Sequence, residues 1–63
     1  MCPLYYTVYE DLDGWYWEIY SIASDCKKEV QYERTGMGLY TKADAEEDCK
    51  IFQGYLKIKA KLV

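Results

Sequence analysis

Few residues in this chain are equipped for chemistry, and most of those are carboxylates. Asp11, Asp13 and Gly14 stand together as Asp-Leu-Asp-Gly, the opening of a calcium loop; Asp44, Glu46, Glu47 and Asp48 form an acidic cluster; Cys2, Cys26 and Cys49 are the thiols. The calcium reading fails on its own spacing. With Gly14 as the glycine at the sixth loop position, Tyr9 falls at the first and Tyr20 at the twelfth, and neither carries a carboxylate. The chain has no histidine and no Cys-x-x-Cys, so the usual zinc sites are not assembled. No imidazole is present to activate a thiol, and Ser21 and Ser24 have no base close in sequence. Gly36-Met37-Gly38 ahead of a helix has the outline of a phosphate cradle, but the carboxylates crowding that helix start repel phosphate. No catalytic, cofactor-binding or metal-ligating residue is expected, and the chain reads as non-enzymatic.

Aromatic surface is abundant instead. Of eight tyrosines and two tryptophans, seven lie between Tyr5 and Tyr20. Those that matter must be positioned by strands, because the residues from Leu4 to Tyr9 and from Trp15 to Tyr20 flank Asp13-Gly14, a pair that tolerates the positive φ of a type I′ hairpin turn. With those two as the loop, Glu10 pairs with Trp17, Val8 with Ile19 and Tyr6 with Ser21. Strand alternation then puts Leu4, Tyr6, Val8, Trp15, Trp17 and Ile19 on one face, the natural core side. Tyr5, Thr7, Tyr9, Tyr16, Glu18 and Tyr20 share the other. Tyrosine offers large contact area at low entropic cost. Tyr5, Tyr9, Tyr16, Glu18 and Tyr20 are therefore the expected partner-binding surface, for another protein or for a second copy of the chain.

The remaining elements follow from punctuation and period. Ser24 to Lys28 is polar and predicts a turn, after which Glu29 to Arg34 forms a third strand with Val30 and Tyr32 on the core side. Gly36-Met37-Gly38 ends it. Thr41 can cap a helix, with Asp44 three residues on completing a capping-box pattern, and Ala45, Cys49, Phe52 and Leu56 form its buried stripe. Gly54 leaves two continuations. The helix runs on through Leu56, Ala60 and Val63, which is the favoured form, or Gly54 caps it and residues 56–62 alternate as a fourth strand. The expected fold class is α+β: one domain spanning 1–63, a three-stranded antiparallel sheet with a C-terminal helix packed on the Trp15/Trp17 face (βββα), and a possible short fourth strand at 56–62.

Charge narrows the partners. Residues 1–49 hold all eleven acids against four bases, a balance of −7, while residues 50–63 hold Lys50, Lys57, Lys59 and Lys61 and no acid. A body of that sign repels phosphate, so nucleic acid is not the expected partner. No apolar run reaches the roughly 18–20 residues a bilayer crossing needs, and Met1-Cys2-Pro3 does not open a secretory signal. A cytoplasmic protein with no membrane partner is expected, its three cysteines free thiols.

From Tyr6 to about Phe52 the order of parts resembles the small bacterial domain of unknown function 1508, the YegP-like proteins. The residues that carry the likeness are Val8-Tyr9-Glu10-Asp11-Leu12-Asp13-Gly14, the aromatic strand after them, and Gly38-Leu39-Tyr40-Thr41-Lys42-Ala43-Asp44-Ala45-Glu46. The resemblance implies three strands and one packed helix, often dimeric or in tandem, with no assigned activity. The second stretch is also similar to the arm-type DNA-binding domain at the N-terminus of phage integrases, which reads duplex DNA with basic and polar strand residues. Here the matching positions hold tyrosines, Glu18, Glu29, Gln31 and Glu33. The expected function is a protein-interaction module, a small bacterial or phage accessory or inhibitor protein, with nucleic-acid binding and a purely structural homodimer as alternatives.

Overall fold

The computed structural model describes residues 3–63, so that Cys2 lies outside the described residues. In chain order the elements are β1 (Leu4–Asp11), β2 (Gly14–Ile22), β3 (Lys28–Glu33), α1 (Lys42–Leu56) and β4 (Ala60–Leu62). The sheet order is β3-β2-β1-β4, with β1 antiparallel to β2, β2 antiparallel to β3, and β4 parallel to β1. The three antiparallel strands and the helix are as expected. The sheet as a whole is four-stranded and mixed.

The hairpin turn sits one residue earlier than Asp13-Gly14. Asp11 pairs with Gly14, leaving Leu12 and Asp13 as the loop, so Glu10 faces Trp15, Val8 faces Trp17 and Tyr6 faces Ile19. Neither Leu12 nor Asp13 takes a positive φ; Gly14 does, at 142°. The reason lies far away in sequence. A Cβ on Gly14 would stand 2.7 Å from the Leu39 carbonyl oxygen, and one on Gly38 would stand 2.6 Å from Gly14 Cα. That close approach lets Trp15 and Leu39 exchange two backbone hydrogen bonds of 2.8 Å, which fix the start of β2. The partners shift by an even number of residues, so every side chain keeps its expected face.

In β3 the face does change. A bulge between Ile19 and Tyr20 leaves Ile19 opposite Tyr32 and Tyr20 opposite Val30, with Gln31 as the extra residue. Tyr32 stays on the helix side, against Phe52 at 5.3 Å between ring centroids. Val30 moves to the tyrosine side, correcting its expected place in the core.

Helix α1 starts as its cap predicts: Thr41 is extended and its Oγ accepts the Asp44 N–H at 3.1 Å. Its end differs from the favoured continuous helix. Lys57 adopts the left-handed conformation (φ 57°), its N–H bonds the Gly54 carbonyl at 3.2 Å and the Ile58 N–H bonds the Gln53 carbonyl at 2.9 Å. This paired pattern is a Schellman stop. It turns the chain so that Ile58 and Ala60 join the core beside Leu4 and Val8, and Gln53 Oε1 accepts the Ala60 N–H at 2.8 Å. Gly54, the cap in the alternative reading, lies inside the helix with nothing near the position of a Cβ. The core itself is Tyr6, Trp17, Ile19 and Cys49, with Ala45 also fully buried. Phe52 packs on Trp17 at 4.9 Å, whereas Leu56, expected in the buried stripe, is exposed because the helix ends there.

Candidate functional site

The helix packs on one face of the sheet, and no helix or strand among the described residues packs on the other. That other face carries Tyr5, Thr7 and Tyr9 from β1 and Tyr20, Glu18 and Tyr16 from β2, each directly opposite its partner in that order. All five expected site residues are thus brought together on one surface, though unequally presented. Tyr16 and Tyr20 are buried, while Tyr5, Tyr9 and Glu18 are half-buried. The rings lie across the strands in pairs: Tyr5 with Tyr20 at 5.9 Å between centroids, and Tyr9 stacked on Tyr16 at 5.8 Å. Cross-strand aromatic pairs of this kind stabilise a hairpin by a few tenths to 1 kcal/mol. Their result here is two aromatic pads, about 13 Å apart at roughly 3.3 Å per residue along β1, with the polar pair Thr7 and Glu18 between them.

Polar groups hold each pad in place. Tyr16 Oη donates to Asp13 Oδ1 at 2.5 Å and contacts the Gly36 carbonyl oxygen at 3.2 Å. The hydrogen bond to Asp13 is the main cause pushing the Tyr16 phenol up to about 12. Asp11 Oδ1 accepts the Leu12 N–H at 2.7 Å, so both carboxylates of the calcium-like tetrapeptide serve the turn. At the other pad, Lys28 Nζ pairs with Glu18 and stands 4.7 Å from the centre of the Tyr20 ring, a cation–π contact. Burial, and then the neighbouring Glu18, Glu33 and Asp11 carboxylates, raise the Tyr9 phenol above its ordinary value against the opposing effect of Lys28. The rim of this face is therefore acidic around Tyr9, while Lys28 and, opposite Tyr5 in β4, Lys61 stand at the other pad.

A second feature had no counterpart in the sequence reading. Beside α1, on the helix side of β3, runs a groove of about 350 Å³ lined by Trp17, Glu33, Arg34, Thr35, Asp48, Ile51, Phe52 and Tyr55. Asp48 Oδ2 accepts from the Trp17 indole at 2.7 Å and from Arg34 Nη1 at 3.0 Å, and Arg34 Nε donates to the Met37 carbonyl at 3.0 Å. One carboxylate thus joins the buried tryptophan to the segment after β3. The signal available in sequence was Ile51 and Tyr55, two apolar residues a helical turn apart that do not belong to the core stripe. Cys49 is fully buried and its thiol is raised by burial, against a hydrogen bond from Gln53 Nε2 at 3.3 Å. Such a thiol is a poor nucleophile.

Comparison with protein families, with curated proteins and with solved structures finds no match to this chain. No helix among the described residues is long and apolar enough to cross a membrane.

Proposed function

We propose that this chain is a non-enzymatic protein-interaction module that binds its partner through the open tyrosine face of the sheet, as a small bacterial or phage accessory or inhibitor protein does. The observation that carries the reading is the pair of pre-set aromatic pads, Tyr5 with Tyr20 and Tyr9 with Tyr16. Rings already held by cross-strand neighbours and by the Asp13 and Lys28 contacts lose little freedom when a partner settles on them, which favours affinity. Thr7 and Glu18 between the pads supply the polar groups that orient a protein surface. The same order of three strands and a helix underlies the resemblance to the domain of unknown function 1508, which has no assigned activity and adds no site. The acidic rim of Asp11, Glu18 and Glu33 argues against phosphate, and so against the arm-type reading.

The test immobilises the chain and captures partners from a bacterial lysate, with and without nuclease. Tyr5→Thr/Tyr9→Thr is the control, because threonine keeps the strand preference and removes both half-buried rings. A protein that survives nuclease and is lost with the control is the expected result. Recovered nucleic acid, or bands that nuclease removes, would overturn the reading in favour of nucleic-acid binding. A chain that self-associates in the wild type and is monomeric in the control would make this face a structural homodimer contact.

A further inference from the structure

The tyrosine face has a direction as well as two pads. Lys61 of β4 lies opposite Tyr5 and Lys28 stands over the Tyr20 ring, while Asp11, Glu18 and Glu33 are the carboxylates around Tyr9. Glu18 is held by Lys28, which leaves Asp11 and Glu33 to mark the acidic end. β1 and β2 lie inside the sheet, so their backbone groups are paired and a partner meets side chains alone. The sheet edges invite no added strand: β4 has three residues with Lys61 among them, and β3 is bulged at Gln31. What the face offers is ring surface and hydrogen-bond donors. The Tyr16 hydroxyl is taken by Asp13 and Gly36. Among the described residues no group accepts from the Tyr9, Tyr20 or Thr7 hydroxyl, and none of these oxygens is buried.

We propose, resting on the interaction-module reading above, that the partner meets this face with an extended proline-rich segment carrying a basic residue at the end over Tyr9 and Tyr16. A polyproline II helix has no internal hydrogen bonds, so its carbonyls are free to accept from the phenols and from Thr7. Proline has no backbone N–H. Such a segment therefore brings acceptors and apolar rings, the complement of a face built from donors and aromatic pads. An α-helix spends its carbonyls internally and leaves those donors unmatched. Spacing agrees. With three residues per turn, positions i, i+1, i+3 and i+4 lie along one flat side, and i to i+4 spans about 12 Å at roughly 3.1 Å per residue, against about 13 Å between the pads. Prolines at i and i+4 rest on the two pads, with i+1 and i+3 over Thr7 and Glu18. Charge sets the direction: an arginine or lysine beyond the Tyr9/Tyr16 pad meets Asp11 and Glu33, whereas at the other pad it would meet Lys28 and Lys61. A second copy of the chain supplies no such segment, because its single proline is Pro3.

The test titrates short peptides into the isotope-labelled chain and follows its backbone amide shifts. The probes are a proline–alanine peptide ending in arginines, the same peptide ending in glutamates, and an alanine–lysine peptide that forms a helix. The arginine peptide is expected to shift the amides around Tyr5, Thr7, Tyr9 and Glu18. It should bind about fivefold more tightly than the glutamate peptide, the scale of exposed ion pairs, and displace the protein captured from lysate. Tyr5→Thr/Tyr9→Thr, checked for folding by circular dichroism, should weaken it about tenfold. Glu33→Lys, at an exposed position of β3, should remove the preference for arginine and keeps the test decisive if the double variant is destabilised. No amide shift at millimolar peptide, equal binding of the arginine and glutamate peptides, or tighter binding of the helical peptide overturns the proposal. If capture still depends on Tyr5 and Tyr9 while the peptide displaces nothing, the segment is wrong and the interaction face stands. If neither capture nor peptide binding depends on those tyrosines, both readings fall.

Discussion

Gly38→Ala tests the long-range contact on which the start of β2 depends. Gly38 has no positive φ, so the substitution asks only about space. Its Cβ would meet Gly14 Cα at 2.6 Å, Gly14 C at 2.8 Å and the Asp13 carbonyl oxygen at 2.9 Å. All three are backbone atoms, which cannot swing aside as the tip of a side chain could. Either the two segments separate, losing the paired Trp15 and Leu39 hydrogen bonds at about 1 kcal/mol each, or they stay and bear an overpacking cost of about 1–3 kcal/mol. Both routes centre on about 2 kcal/mol. For a domain of this size total stability is on the order of 3–9 kcal/mol, and each kcal/mol moves the midpoint by about 4–8 °C. The variant should therefore melt about 8–16 °C below the parent by circular dichroism. Gly54→Ala is the matched control. It sits in a helix with nothing near its Cβ, and it should gain about 0.5–1 kcal/mol. If Gly38→Ala melts within about 2 °C of the parent, the Gly14–Gly38 approach does not anchor β2 and the argument fails.

Two further outcomes follow from single side chains. Asp48→Ala leaves the indole N–H of Trp17, a residue only 2% exposed, without its acceptor and releases Arg34. A loss of about 1–3 kcal/mol is expected from urea unfolding, and an unchanged midpoint would deny Asp48 its bridging role. The Tyr16 phenol lies above its ordinary value of 10.0, at about 12, chiefly because its O–H donates a hydrogen bond to Asp13 in the folded chain. A raised folded value means that the contribution is complete below pH 10 and is lost as pH climbs through about 12. Stability should therefore fall across that window in the wild type and fall less in Tyr16→Phe; equal slopes in the two proteins would show that Tyr16 is not the group responsible.

What the sequence made legible was whatever depends on near neighbours. Alternation along β1 and β2 assigned both faces, and the Thr41 cap with the Ala45, Cys49 and Phe52 spacing placed the helix. The five site residues share one surface because alternation is indifferent to an even shift in register. That is why moving the turn from Asp13-Gly14 to Leu12-Asp13 cost nothing in face assignment. Features set by distant partners were not legible. Gly14 takes its conformation from Gly38, and the bulge at Gln31 sends Val30 to the tyrosine side. Nor did periodicity decide residues 57–63, since Leu56, Ala60 and Val63 continue a helical stripe while Leu56, Ile58, Ala60 and Leu62 alternate as a strand. The deciding energy was tertiary: a Schellman stop at Lys57 buries Ile58 and Ala60 and adds β4 to the free edge of β1, where Val63 N–H reaches the Tyr6 carbonyl at 3.2 Å. Ending the helix has a further effect on its outer surface. Fifteen residues span about 22 Å at 1.5 Å each, enough to cross β1 and β2 once, and the chain then returns to the β1 edge instead of towards β3. The groove at Trp17, Arg34 and Asp48 thus stays open for the same reason that the fourth strand exists.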